Sequence, residues 1–315
     1  MVVPSKDQIV SAARRIAFGI HRTPVLESAF LNGRFQTSLF FKCENFQKVG
    51  AFKSRGAVNA VFSLDDEEAK KGVATHSSGN HAQALARAAA LRKIPAYIVM
   101  PENAPRVKID AVKGYGGIIT FCTPTLEARE STLKKVITET GAVEIHPYDN
   151  LKVIAGQATA AMELLEEQPG LDIILCPVGG GGLLSGTALS ARYFSPATRV
   201  IACEPAGADD AFRSFKSGRL IPSVHPKTIA DGLLTSLGEI TFPIIRAFVD
   251  DIVTVKEESI IESMRLIFER MKIVVEPSSA VPLASILEDK VDVKGKKVGI
   301  ILSGGNVNLN HLPWQ

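Results

Sequence analysis

Short apolar runs and longer stretches of helical spacing take turns along this chain. Pro4 to Gly19 reads as a helix feeding Thr23-Pro24-Val25, where proline holds the preceding residue extended. The runs at Ser38–Cys43, Val73–His76, Ala96–Met100, Ile118–Phe121, Ile173–Cys176, Val200–Cys203 and Val298–Leu302 have the length and apolar content of strands. Between them the spacing predicts helices over His81–Arg92, Arg106–Lys113, Leu126–Thr140, Ile154–Glu167, Leu183–Tyr193 and Ala211–Lys216. Ile260, Ile261, Met264, Ile267, Phe268 and Met271 fall at spacings of one, three and four, one apolar stripe on a further helix. The charged segment Asp65–Lys71 reads as solvated surface.

This alternation predicts an open α/β fold with largely parallel sheet. Ligands of such sheets bind at the carboxyl ends of strands. Four loops fall there: Ser77–Asn80, Gly179–Gly182, Glu204–Asp210 and Ser303–Asn306. No linker, repeat or low-complexity segment marks a cut, so two domains would require the chain to cross between them more than once.

The totals narrow the classes. The chain has 315 residues, enough for one large domain or two ordinary ones. Hydrophobic residues make up 46% and charged residues 22%, a globular balance. A net charge of +3 without a dense Lys/Arg run argues against nucleic acid or an anionic membrane as partner. No apolar run approaches the roughly 18 residues of a membrane helix. The segment Met1–Ile20 lacks the apolar core of a signal peptide. Cys43, Cys122, Cys176 and Cys203 lie far apart, in neither a zinc spacing nor a disulfide framework. The expectation is a soluble, cytoplasmic protein.

Candidate chemistry begins with Lys53, placed by the pattern at or near the first turn of a helix after the Ser38–Cys43 strand. The positive end of a helix disfavours an ammonium and favours a nucleophilic amine, as Schiff-base chemistry requires; a plain surface lysine is the alternative. Gly179–Gly182 follows a strand and opens a helix, which suits a phosphate, or only a tight turn. Gly180, Gly182 and Gly186, with Glu204 about twenty residues on, also resemble a relaxed dinucleotide fingerprint, so a nicotinamide-dependent dehydrogenase is a rival. Ser77-Ser78-Gly79-Asn80-His81 offers hydroxyls and an amide for a carboxylate, or Ser78 or Asn80 as an N-cap. Glu204 to Asp210 could hold a hard cation such as Mg²⁺ or Ca²⁺, or Asp209 or Asp210 could cap the helix that follows. Thr228–Gly232 and Val275–Ser279 are polar turns to which the sequence assigns no role.

Ala51-Phe52-Lys53-Ser54-Arg55-Gly56-Ala57, Ser77–His81, Gly179–Gly182 and Ser303–Asn306, in that order, resemble the fold-type II pyridoxal-phosphate enzymes. Within them the chain is most similar to the serine racemase and serine/threonine dehydratase family, from Thr23 to Asn306. The resemblance implies a tryptophan synthase β-like fold: a large domain of residues 1–71 and 148–315 and a small inserted domain of residues 72–147. It implies that Lys53 bonds the pyridoxal 5'-phosphate aldehyde beside Phe52. Gly179, Gly180, Gly181, Gly182 and Leu183 would hold the phosphate, Asn80 the ring hydroxyl, and Ser303 would face the pyridine nitrogen. Ser78 would be the second acid/base, opposite Lys53. Ser77, Ser78, Asn80 and His81 would embrace the substrate carboxylate, with Arg129 and Thr235 lining the pocket. Glu204, the Ala208 carbonyl and Asp210 match a divalent metal site (Mg²⁺, Ca²⁺ or Mn²⁺). Ser28, Lys48, Gln83, Tyr115 and Asn306 match part of a nucleotide site between subunits, with ATP as the implied effector, whereas Ala29, Phe30 and Val49 depart from its pattern. The implied activity is serine racemisation with concurrent dehydration to pyruvate and ammonia, in a homodimer. L-threonine, L-serine or threo-3-hydroxyaspartate ammonia-lyase activity is the alternative, and a non-catalytic binder of amino acids and cofactor a further one.

Overall fold

The computed structural model describes residues 1–77, 79–104 and 106–314. Its strands are β1 (Val25–Leu26), β2 (Ser38–Cys43), β3 (Val73–His76), β4 (Ala96–Pro101), β5 (Ile118–Cys122), β6 (Val143–Glu144), β7 (Ile173–Pro177), β8 (Arg199–Pro205), β9 (Asp251–Val255) and β10 (Lys297–Leu302). They form two sheets. The six-stranded sheet runs β1-β2-β10-β7-β8-β9 and the four-stranded sheet runs β5-β4-β3-β6. Every pairing is parallel except β1 with β2. Parallel neighbours need crossover helices, which cover both faces and leave the inner strands largely apolar. This is why the strands are visible as continuous apolar runs in the sequence.

The helices are α1 (Lys6–Ile16), α2 (Ala29–Phe35), α3 (Lys53–Phe62), α4 (Asp66–Lys71), α5 (Asn80–Arg92), α6 (Arg106–Gly114), α7 (Leu126–Thr140), α8 (Leu151–Glu167), α9 (Gly182–Phe194), α10 (Asp210–Ser217), α11 (Thr241–Phe248), α12 (Glu257–Met271) and α13 (Pro277–Leu287). Successive residues of a strand point to opposite faces, and the large sheet shows it. Leu39, Phe41, Leu175, Ile201 and Ile300 pack into one buried cluster with residues of α12 and α13. Phe40, Ile174, Cys176, Val200 and Ile301 pack into another with residues of α9 and α11.

Helix α3 is deeply enclosed: Ser54 to Val61 are all buried. Its close packing against α8 depends on glycine. A Cβ at Gly156 would lie 2.6 Å from the Gly56 Cα, and one at Gly186 2.6 Å from the Ala158 nitrogen, so α3, α8 and α9 meet backbone to backbone.

Asp65–Lys71 is solvated as expected, and residues 66–71 form the helix α4, held by a capping box between Asp65 and Glu68. One expectation is corrected here. Neither Asp209 nor Asp210 caps α10 through its side chain. The cap comes from the preceding strand end, where the Glu204 carboxylate accepts the Ala211 N–H at 2.9 Å and the Phe212 N–H at 2.8 Å.

Candidate active site

Lys53 is the first residue of α3, directly after Phe52. Its Nζ donates to the Pro147 carbonyl at 2.9 Å and sits 5.0 Å from the Phe52 ring centroid. Burial lowers the amine pKa to about 8, and the Glu276 carboxylate opposes that fall. About a tenth of the amine is therefore neutral and nucleophilic at pH 7, far more than for an ordinary lysine. Two residues on, Arg55 is fully buried and fixes the base of the helix. Its five donors reach Glu44 (2.7 and 2.8 Å), Glu163 (2.7 and 2.8 Å) and the Thr159 hydroxyl (3.0 Å). Lys42 adds a second buried cation, 2.8 Å from Glu163.

Gly179–Gly182 joins β7 to α9 and is buried throughout. The first N–H groups of a helix have no intrahelical acceptors, and no side chain caps α9. Gly181 has φ +87°, which L side chains rarely adopt. A Cβ at Gly180 would fall 2.3 Å from the Tyr148 ring, and one at Gly182 2.9 Å from the Tyr148 Cβ. Leu183 is buried behind the loop. The four glycines thus leave a shallow backbone cradle walled by Tyr148.

Ser77 to Asn80 joins β3 to α5 and comes from the small sheet. The Ser77 hydroxyl accepts the Gly79 N–H at 3.3 Å; Ser78 lies outside the described residues. Asn80 does not cap α5: the N-cap position is Gly79, without a side-chain cap. Instead its Nδ2 donates to both oxygens of Glu276 (3.2 and 3.1 Å), and its Oδ1 accepts from Asn306 Nδ2 at 2.9 Å. Glu276, from a turn with no role legible in the sequence, is the buried acid of this cleft. Burial raises its pKa to about 7, against the Asn80 hydrogen bond. His81 is buried, donates from Nε2 to the Ile145 carbonyl at 2.9 Å, and leaves Nδ1 without a partner. Burial drives its pKa down to about 3, which keeps it neutral.

The Ser303–Asn306 loop closes the far side. Phe52 N–H donates to the Ser303 carbonyl and Glu276 N–H to the Gly304 carbonyl, both at 3.0 Å. A Cβ at Gly304 would lie 2.7 Å from Glu276 Oε1. Ser279 gives its one hydroxyl proton to the Gly304 carbonyl (2.7 Å), so in its 3.1 Å contact with Ser303 the Ser303 hydroxyl is the donor.

Arg129, on α7, has a buried Nε without a partner and is close enough to His76 to depress its pKa, after burial and the opposing Glu130. Thr235 is exposed. It lies close enough to the Tyr148 hydroxyl to oppose the rise in pKa, to about 12, that burial gives it.

At the end of β8, Glu204 and Asp210 are both buried, and Ala208 is buried between them. Burial raises Glu204 to about 9, against its two N–H bonds and with help from Asp210 and Asp209. Burial also raises Asp210, to about 6. Both Asp210 oxygens lack a hydrogen-bond partner of good geometry. Among the described residues no group of three or more His, Cys, Asp or Glu forms a metal cluster.

The five nucleotide-site positions are scattered in role. Ser28 caps α2, accepting the Leu31 N–H at 3.4 Å. Lys48 opens a short turn that packs against α5, the helix of Gln83. Tyr115 ends α6. Asn306 joins Asn80 and the Val49 carbonyl. Among the described residues, no hydrogen bond joins Ser28, Lys48, Gln83 and Tyr115 to one another. Ala29 and Phe30 are exposed, with the Arg270 guanidinium 4.1 Å from the Phe30 ring centroid.

The model of a known family, described as pyridoxal-phosphate dependent enzyme, matches residues 16–304. The chain belongs to the pyridoxal-phosphate dependent enzymes. It is 52% identical to a beta-hydroxyaspartate dehydratase of Paracoccus denitrificans (strain Pd 1222), with 100% of both chains covered. It is also 52% identical to a serine racemase of Dictyostelium discoideum, covering 99% of this chain and 98% of the relative. The structure of maize serine racemase superposes with a TM-score of 0.96 at 48% identity, over 98% of this chain and 95% of that one.

The residues of this pyridoxal-phosphate dependent enzyme fit the cofactor. A phosphate suits the uncapped α9 N-terminus and its glycine cradle, and the lowered amine of Lys53 suits an aldehyde. The dehydrogenase reading falls with the family. Its proposed ribose acid, Glu204, is fully buried and occupied by the α10 N–H groups. No helix among the described residues is long and apolar enough to cross a membrane.

Proposed function

We propose that this enzyme racemises serine and dehydrates it to pyruvate and ammonia, with pyridoxal 5'-phosphate on Lys53. When bound, the cofactor supplies the electron sink that acidifies the substrate α-hydrogen. The observation that carries the reading is the pairing of a lowered amine on Lys53 with the Asn80–Glu276–Asn306 wall contributed by both sheets. Phe52 flanks Lys53. Gly179 to Leu183 hold the phosphate. Asn80 meets the ring hydroxyl, and Ser303 the ring nitrogen. Ser77, Asn80 and His81 receive the substrate carboxylate. Lys53 removes or returns the α-proton on one face and Ser78 does so on the other; the assignment of Ser78 rests on the sequence alone. Racemisation requires two such groups, and elimination follows when hydroxide leaves before Ser78 returns a proton.

A second reading, threo-3-hydroxyaspartate ammonia-lyase, is favoured by the buried, partnerless Nε of Arg129, which suits a second carboxylate. The Paracoccus relative supports it. Glu204, Ala208 and Asp210 would hold Mg²⁺ or a similar cation: burial raises both carboxylates, and the Asp210 oxygens have no hydrogen bond of good geometry, so a cation would stabilise the charged forms. Residues 72–147, which contain every strand of the small sheet, form the small domain in this proposal. The enzyme is a cytoplasmic homodimer, and ATP is at most an effector.

Proton NMR of the enzyme with L-serine, pyridoxal phosphate and Mg²⁺ in D₂O, with chiral analysis, tests the reading. α-Deuterated D-serine is the expected product beside pyruvate. Pyruvate alone would move the assignment to a dehydratase, and no reaction with serine but turnover of 3-hydroxyaspartate would favour the second reading. Ser78→Ala is expected to lose racemisation while one enantiomer still exchanges its α-proton.

A further inference from the structure

The turn from His146 to Asp149 touches both halves of the cofactor machinery. The Pro147 carbonyl accepts the Lys53 amine, and Tyr148 forms the wall of the glycine loop. The far end of the turn is fixed by Asp149, whose Oδ1 accepts the N–H groups of Ile240 (2.8 Å) and Thr241 (3.0 Å). The Thr241 hydroxyl in turn donates to the Gly180 carbonyl at 2.9 Å. The near end is fixed by His146. Its Nδ1 accepts the Asp149 N–H at 2.8 Å and the Tyr148 N–H at 3.4 Å.

An imidazole nitrogen that accepts N–H bonds carries no proton of its own. His146 is therefore neutral, with its proton on Nε2. Burial keeps it so, lowering its pKa to about 4, and the His76 imidazole, 6.2 Å away between centroids, adds to that fall. The His146 ring also packs edge-on to Tyr148 at 4.6 Å between centroids. A side chain that accepts N–H bonds two and three residues ahead is the pattern asparagine and aspartate use to build turns. Here an imidazole does it.

We propose that His146 is a positioning residue: its Nδ1 lone pair shapes the turn that presents the Pro147 carbonyl to Lys53 and Tyr148 to the glycine loop. The inference rests on Lys53 as the residue that bonds the cofactor. Asparagine places its Oδ1 at the same bond separation from Cβ as the histidine Nδ1. Glutamine places its oxygen one bond farther out, and leucine supplies no acceptor.

The test is a spectroscopic titration of the stripped full-length chain with pyridoxal phosphate, for the wild type and for His146→Asn, His146→Gln and His146→Leu. Borohydride reduction and peptide mapping then locate the label, and thermal unfolding is recorded for each chain. His146→Asn is expected to bind like the wild type. The Gln and Leu variants are expected to bind at least about tenfold more weakly, on the scale of one well-placed hydrogen bond. Should the Leu variant fail to fold, the comparison of Asn with Gln carries the test. A role in filling space alone would make Gln as good as Asn, and that result, or wild-type affinity in the Leu variant, overturns the proposal. A label away from Lys53 would overturn the cofactor assignment itself. A label on Lys53 with Asn no better than Gln would overturn only the role of His146.

Discussion

Lys53 and Glu276 act on each other through charge across the cleft. The Lys53 amine sits at about 8 because burial penalises the ammonium more than Glu276 rewards it. Glu276, at about 7, is mostly ionised where the amine titrates. Replacing Glu276 with Gln removes the charge that favours the ammonium, so the amine pKa falls. The pH midpoint for reaction of the stripped chain with pyridoxal is therefore expected to shift below that of the wild type. An unchanged or higher midpoint would show that Glu276 does not act on the amine. The helix-start position of Lys53 is legible in the sequence because it is a local property, though position alone also suits a surface lysine and the surrounding Ala51–Ala57 motif is what singles it out. Glu276 was not legible, because nothing in Val275–Ser279 announces that the loop meets Asn80 and Asn306 from distant parts of the chain. Tyr148 was missed for the same reason: its partner is empty space above Gly180 and Gly182, which only the folded glycine loop creates.

At the scale of elements, α3 is held by charge as much as by packing. Arg55 satisfies all five donors on Glu44, Glu163 and Thr159. Removing one partner of a buried ion network costs roughly 3–5 kcal/mol because the remaining charges stay buried. Arg55→Ala is expected to lower the thermal midpoint by about 10 °C, and Arg55→Lys to recover little of it, since an ammonium cannot bridge two carboxylates in a plane. A loss near zero in thermal unfolding would show that the network is dispensable. The end of β8 gives a second prediction. If Glu204 and Asp210 hold a cation, Mg²⁺ stabilises the wild type by about 2.7 kcal/mol at a hundredfold excess over its Kd. Chelation should reverse that, and Asp210→Asn should show neither effect. Equal midpoints with Mg²⁺ and with chelator in the wild type would leave Glu204 only its role as cap of α10. Most elements could be read from the sequence, since Ser38–Cys43, Val73–His76 and Leu126–Thr140 have the predicted bounds. Helix α4 was obscured by its charge, though Asp65 and Glu68 carry a capping signature. Helix α13 was obscured by Pro277 at its start and Pro282 within it, and β9 by the polar and half-buried residues of an edge strand.

Across the whole molecule, the cleft is bridged by few polar links between the sheets. Asn80 to Glu276 is one. Lys108 to Asp231, at 2.9 Å between α6 and the turn before α11, is another. Asp231 is 53% exposed, so the ion pair contributes little to stability, about 0.2–1 kcal/mol. Its position matters more: it joins α6 to a loop whose charge acts on Glu276. We expect Lys108→Ala and Asp231→Ala to leave the thermal midpoint nearly unchanged while raising KM for the amino acid by similar factors. The double variant should be no worse than either single one, because both remove the same link. The two charges also act on Glu276 in opposite senses, Asp231 raising its pKa and Lys108 lowering it. If field alone mattered, the single variants would shift the pH profile in opposite directions and the double variant would cancel them. Parallel rises in KM without that cancellation identify a clasp across the cleft, whereas opposed pH shifts would assign the pair to tuning Glu276.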